Sequence, residues 1–216
     1  MVCVGSLARQ LYVDSSVVFF WMQRLRPYIC PFDRLVTVLE GVEELLDVGC
    51  GAGLLLGLWA CAGTARRGVG FDPSRLAIEA ANKMKPRATR LGSQADLTFL
   101  CIAQGNPWPE GQFEAVTMID VMHHVPSAVQ RSFLTLACHK VKAGGKLVYK
   151  DISDRRFLYA AMNRVHDLVI AREWSRYVPL ATIEQWAEEE GLQVVSRESR
   201  KMLWYDHDLV IFRRLR

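Results

Sequence analysis

The stretch "ELLDVGCGAGLLLGLWA", residues 44–60, restricts the fold more than any other part of the chain. An apolar run carries Asp47, glycines follow at 49, 51 and 53, and an apolar segment resumes at Leu54. That order predicts a strand, a tight turn and a helix, all buried. From Val48 to Ala65 there are 18 uncharged residues, enough to span a bilayer. Five of them are Gly, however, and Asp47 and Arg66 bracket the run, so a buried strand–turn–helix is expected in place of a membrane span.

The same alternation continues downstream. Strands are expected at 44–48, 68–72, 97–102, 113–120, 145–152, 192–198 and 207–214, and helices at 53–62, 74–84, 128–141, 154–172 and 182–190. Strands alternating with helices predict an α/β fold: a Rossmann-like, doubly wound, mostly parallel sheet of seven strands with helices on both faces. Continuous apolar strands fit a sheet buried on both sides. Ser74 after Asp72-Pro73 is placed to cap the second helix, and Ala143-Gly144-Gly145 to end the one before the fifth strand. Before the first strand, apolar clusters at 17–22 and 35–39, split by Pro27 and Pro31, predict short helices. Residues 1–40 are thus expected to form a helical cap, and residues 41–216 one α/β domain.

With 216 residues, half of them hydrophobic, the chain can build a full core. A formal charge of +4 is too small to argue for nucleic acid. The six cysteines, at 3, 30, 50, 61, 101 and 138, form no CxxC and meet no His at metal spacing. They read as reduced thiols of a cytoplasmic protein, with no metal site expected. The N-terminus has no signal-peptide pattern, and no transmembrane segment is expected.

Strand, glycine turn and helix together form a nucleotide-binding device, because glycines admit the ligand to backbone amides and to the helix N-terminus. A dehydrogenase fingerprint would require a glycine where Leu54 stands. Asp47 would repel a pyrophosphate and attract a sulfonium or an ammonium, which favours S-adenosylmethionine over a nicotinamide cofactor. Asp72, in "GVGFDPS" at the end of the second strand, is placed to accept both ribose hydroxyls.

"LLDVGCGAG", "GFDPS", "FEAVTMIDVMHHVP" and "VKAGGKLVYKDI" together resemble the successive motifs of the class I S-adenosylmethionine-dependent methyltransferases. The resemblance covers about residues 44–152 and is closest to small bacterial members with a D-V-x-H-H signature after the fourth strand. It implies that Asp47, Gly49, Cys50, Gly51 and Gly53 surround the methionine end of S-adenosylmethionine. It also implies that Asp72 and Pro73 lie at the ribose and that Ile119 lines the cofactor side, with S-adenosylhomocysteine as product. The family often places an acid after the third strand to hold adenine, whereas this chain has Cys101-Ile102-Ala103-Gln104 there. Adenine is then expected against Ile102 and the Ala103 backbone, with Gln104 or Trp108 assisting.

Methyl transfer is an in-line displacement in which alignment alone can supply about 7–11 kcal/mol. A base is needed only for an acceptor that carries a proton. Three groups stand near strand ends. In "IDVMHHVP" one His at most can face the cleft, and His124 is the candidate base, with Asp120 lining the cofactor side or capping the turn. Asp151 ends the fifth strand, with Lys150 alternating to the other side. On the following helix, Tyr159, Asn163, His166 and Asp167 form a polar stripe, from which His166 is the third catalytic candidate. Trp174 and Tyr177 could meet an aromatic or acyl substrate.

A nucleic-acid amino-methyltransferase would carry an Asn/Asp-Pro-Pro-aromatic motif where this chain has "IDVMHH". A metal-dependent catechol mechanism would need an amide ligand beside Asp151, where Ile152 stands. The expected acceptor is therefore a small or carrier-bound organic molecule, phenolic, lipid-like or polyketide-like. A non-catalytic cofactor-binding partner subunit is the alternative, and no protein partner is legible.

Overall fold

The computed structural model describes residues 4–13, 17–152, 178–202 and 205–215. Its strands are β1 (Glu44–Val48), β2 (Arg67–Asp72), β3 (Asp96–Cys101), β4 (Phe113–Ile119), β5 (Val141–Ile152), β6 (Leu192–Met202) and β7 (Tyr205–Arg214). They make one seven-stranded sheet in the order β3-β2-β1-β4-β5-β7-β6. The chain divides into two compact units, Met1–Ala115 and Val116–Arg216.

In the first unit β1, β2 and β3 are parallel, with Glu44 opposite Arg67 and Arg67 opposite Asp96. Helix α4 (Leu54–Ala60) follows β1, and every one of its residues is buried. Seven residues are too few for a helix to persist alone, so burial must hold it. Each buried leucine contributes roughly 2 kcal/mol to that end. Close approach is possible because β2 reads Gly-Val-Gly: a Cβ on Gly70 would stand 2.7 Å from Leu56 and 2.8 Å from the Cys50 sulfur.

Three helices precede β1: α1 (Val4–Leu11), α2 (Val17–Ile29) and α3 (Phe32–Val38). The apolar clusters forecast the last two, while α1 was not forecast. Pro27 does not split the helices; it lies in the last turn of α2, where its missing N–H forfeits one bond. Helix α5 (Arg75–Arg90) likewise runs past Pro86, beyond the expected end at Met84. Pro86 and Asn82, whose carbonyl loses its helical partner, both lie on the exposed face where water can take that bond.

In the second unit β7 runs antiparallel to both β5 and β6, with a bulge in β6 between Val194 and Ser196. Helices α6 (Gln130–His139) and α7 (Leu180–Glu189) close with their ends together. Arg214 donates to the carbonyls of Cys138 (2.7 Å) and Glu190 (3.2 Å), a cation serving two helix C-termini. This corrects the role given to Ala143-Gly144-Gly145. The helix already ends at His139, with the Cys138 carbonyl accepting from Arg214, and β5 starts at Val141 and includes Gly144 at φ +73°. The helix expected over 154–172 lies outside the described residues. No described helix is long and apolar enough to cross a membrane.

Candidate functional site

Between β1 and α4 the backbone passes through Gly49, Gly51 and Gly53 at φ +67°, +53° and +80°. These are left-handed conformations that cost any side-chain-bearing residue about 1–2 kcal/mol. At Gly53 a Cβ would also stand 2.7 Å from the Phe99 ring. The turn is fastened to the end of β2. Cys50 N–H donates to the Phe71 carbonyl (3.0 Å), and Gly51 N–H donates to Asp72 Oδ2 (2.9 Å). The other Asp72 oxygen accepts from Ser74 N–H (2.8 Å), and Ser74 Oγ accepts from Ala77 N–H (3.3 Å) as the expected N-cap of α5.

One carboxylate therefore holds both the glycine turn and the start of α5. Asp72 is half-buried and Pro73 exposed. Each carboxylate oxygen keeps a further lone pair for a ligand hydroxyl. Asp47 is buried, opposite Gly70 in the sheet register. Cys50 turns its sulfur inward against Gly70. Burial, then Asp47 and Asp72, push its thiol well above the usual range, so only its backbone is available to a ligand. Tyr12, buried just after α1, donates from its hydroxyl to the Ala52 carbonyl at 2.5 Å. Next to the turn, Ile102 N–H donates to the Asp72 carbonyl (3.1 Å), and the half-buried Trp108 ring lies 4.8 Å from that of Phe71. Ala103 is exposed and Ile119 buried.

The second unit carries its polar groups at the ends of β4 and β5. Asp120 is the one described residue other than glycine with positive φ, +58°. Its N–H donates to the Lys150 carbonyl (2.8 Å), and its Oδ1 accepts from Lys150 Nζ (2.6 Å). The Lys150 side chain is wholly buried and Asp120 is 20% exposed. Burial would raise the Asp120 carboxyl, but the Lys150 charge and hydrogen bond, with His207 and His123, outweigh it and hold the group at about 2.

One residue on, the alternation of β5 gives Asp151 a different partner. Its Oδ1 lies 2.5 Å from His123 Nδ1, both side chains being buried, and Tyr149 Oη donates to its Oδ2 at 3.5 Å. In the tautomer with the proton on Nδ1, His123 donates to Asp151 and Nε2 is the basic nitrogen. The histidine that meets Asp151 is thus His123, while the expected candidate His124 is its neighbour on the same turn. Met122–His124 form a single 3₁₀ turn, in which successive side chains diverge by about 120°. Met122 and His123 point inward and His124 outward, its ring 4.1 Å from that of His123. His166 lies outside the described residues, as do Tyr159, Asn163, Asp167, Trp174 and Tyr177.

The sequence reading did not single out His123 as the inward residue, nor the Asp120–Lys150 pair. The available signal was strand alternation in "YKD", which separates Lys150 from Asp151 without naming a partner for either.

Comparison with known proteins agrees with this geometry. The model of a family described as a methyltransferase domain matches residues 20–197. A ubiquinone biosynthesis O-methyltransferase of Alkalilimnicola ehrlichii is 27% identical over 173 residues, covering 74% of this chain and 65% of its own. The chain thus spans about 65% of that relative's length. Among solved structures, magnesium protoporphyrin IX methyltransferase from Synechocystis with bound S-adenosylhomocysteine superposes with a TM-score of 0.70 at 19% identity, covering 95% of this chain and 92% of its own. N-methyltransferase NodS from Bradyrhizobium japonicum in complex with S-adenosylhomocysteine gives 0.64 at 19% identity, covering 97% and 96%. The chain belongs to the methyltransferase domain family.

Proposed function

We propose that this protein transfers a methyl group from S-adenosylmethionine to a hydroxyl of a small organic acceptor, free or carrier-bound, with S-adenosylhomocysteine as the second product. The observation that carries the reading is the turn of three left-handed glycines pinned by the Asp72 carboxylate. It leaves backbone amides and the spare Asp72 lone pairs available, which suits a nucleoside with two adjacent hydroxyls. Asp47, Gly49, Gly51 and Gly53 hold the methionine end, with the Cys50 backbone. Asp72 and Pro73 flank the ribose, and Ile102 and Ala103 line the adenine side. When bound, S-adenosylmethionine supplies a methyl carbon already activated by its sulfonium sulfur.

On the acceptor side, the hydroxyl proton goes to Nε2 of His123. Asp151 fixes the ring through Nδ1–H and stabilises the positive charge that the ring acquires. His124, on the outer side of the same turn, and His166 are assigned to acceptor contact. Hydroxyl acceptors agree with the name of the O-methyltransferase relative, and a phenolic or lipid-like molecule is the first class to screen. None of the five described cysteines is in a disulfide, in keeping with a reducing compartment such as the cytoplasm.

The test is calorimetric titration with S-adenosylhomocysteine of the wild type and of Asp72→Ala. Binding with a Kd on the order of micromolar that is lost in the variant is expected. A wild type that takes no S-adenosylhomocysteine overturns the reading. A panel of phenolic acceptors with labelled methyl donor then assays His123→Ala, for which a drop of about 10²–10⁴-fold in turnover is expected.

A further inference from the structure

Charge and apolar surface are spread unevenly over the first unit. Helices α1, α2 and α5 carry eight lysines and arginines against a single acid, Glu79, which Arg75 holds at 3.1 Å. These three helices alone exceed the formal +4 of the whole chain, so the remainder is net negative. Their cations also gather. Arg9, Gln10 and Val13 at the end of α1 line a recess of about 390 Å³ together with Arg87, Arg90 and Leu91 at the end of α5. Lys83, Arg87 and Arg90 share one face of α5 by their spacing. Among the described residues, the Arg90 side chain has no ion pair or hydrogen bond, and that of Arg9 donates only to the Tyr28 hydroxyl, at 3.4 Å.

That contact joins the recess to α2. There Trp21, Leu25 and Tyr28 recur at helical spacing and form one stripe. They are 50%, 54% and 50% exposed, and Val13 beside the recess is 53% exposed. The Arg24 guanidinium stacks over the Trp21 ring, 5.0 Å from its centroid. Single apolar residues on a surface need no explanation, whereas a stripe of three with a fourth close by does. The C-terminal dipoles of α1 and α5 account for cations at Arg9, Arg87 and Arg90, but not for the apolar side chains among them. A nucleic acid would engage the arginines and leave Leu25 and Val13 in water. A partner protein would have to supply a groove for a convex helix face. A bilayer with anionic headgroups uses every part: the Trp and Tyr rings suit the headgroup level, Leu25 and Val13 the acyl boundary, and the arginines the phosphates.

We infer that the face formed by α1, α2 and the end of α5 docks this protein on an anionic phospholipid surface, with the arginine-lined recess receiving a headgroup phosphate. Val13 follows Tyr12, whose hydroxyl holds the Ala52 carbonyl, so the docking face adjoins the glycine turn. The inference goes beyond methyl transfer and stands without it. For a lipid-like acceptor it adds the place where a poorly soluble molecule is met.

Sedimentation of the full chain with vesicles tests it. Phosphatidylcholine alone is compared with two parts phosphatidylcholine to one part phosphatidylglycerol, each at low and high salt. Wild type should bind the anionic vesicles at least about tenfold more tightly than the neutral ones, and salt should remove most of that preference. Arg87→Gln combined with Arg90→Gln should weaken binding to anionic vesicles by about 25-fold, about fivefold for each charge. Trp21→Ser combined with Leu25→Ser should weaken it by about 10–100-fold at both salt concentrations. An unchanged urea midpoint establishes that each double variant folds. A wild type that stays in solution beside anionic vesicles overturns the inference. Binding that neither double variant weakens also overturns it, since the contact would then lie elsewhere. A loss confined to one of them does so too, because the face would be purely electrostatic, as for a nucleic acid, or purely apolar, as for a partner protein. Failure of S-adenosylhomocysteine to bind would overturn the cofactor reading and leave this inference in place.

Discussion

The glycine turn and the polar ends of β4 and β5 solve different problems with different materials. The turn is made of backbone: glycines in left-handed conformation, amides fastened to β2, and one half-exposed carboxylate holding two N–H groups. The strand ends are made of buried polar side chains in pairs, an ion pair of Lys150 with Asp120 and a hydrogen-bonded pair of His123 with Asp151. A backbone site is specified by shape and tolerates little added volume. A side-chain site is specified by charge balance, and removing one partner leaves the other stranded in a poor solvent. The two regions should therefore fail in different ways.

The largest failure is expected at the buried pair. Asp120→Asn leaves Lys150 without its counter-ion and should lower stability by about 3–5 kcal/mol. Urea unfolding measures it, and Asp120→Asn with Lys150→Met should recover most of the loss. A single variant that costs nothing would break the comparison at its root. Gly53→Ala should come next, at about 2–4 kcal/mol from φ +80° and the crowded Phe99 ring together. Here no second substitution that merely balances charge should help.

The third effect is a pH dependence confined to the side-chain site. The Asp120 carboxyl is lowered from 3.8 to about 2 in the folded chain, so the folded state favours its ionised form. The associated stability is present above about pH 4 and is lost as pH falls toward 2, amounting to about 2 kcal/mol. Acid titration of unfolding should show that slope in the wild type, and the doubly substituted chain should lack it. Smallest is Ser74→Ala, which removes a 3.3 Å cap at the start of α5 and should cost about 1 kcal/mol in a melting experiment. If Ser74→Ala cost more than Gly53→Ala, the turn would depend on its fastening more than on its shape.

The same contrast explains what could be read in advance. Positive φ selects glycine locally, so "GCGAG" announces its own conformation, and Asp72 followed by Pro-Ser announces a capped helix start. The strands bearing these residues are apolar and short, and β1, β2 and β4 fall where that pattern puts them. Charge pairing has no local signature. Lys150 in "VYKDI" reads as a residue for solvent, and its partner is 30 residues earlier. The choice between His123 and His124 depended on the phase of a single 3₁₀ turn, which neither histidine sets by itself. Pro27 misled because a proline in a last turn is cheaper than the rule of thumb assumes.

Lys150, wholly enclosed while most lysines of a chain like this face water, also has an experimental use. Amine-acylating reagents should modify the exposed ammonium groups at once and reach this one only when β4 and β5 come apart. The extent of labelling at a single peptide would then count openings of the C-terminal unit, with no probe introduced, and ligands that hold the folded state should slow that clock.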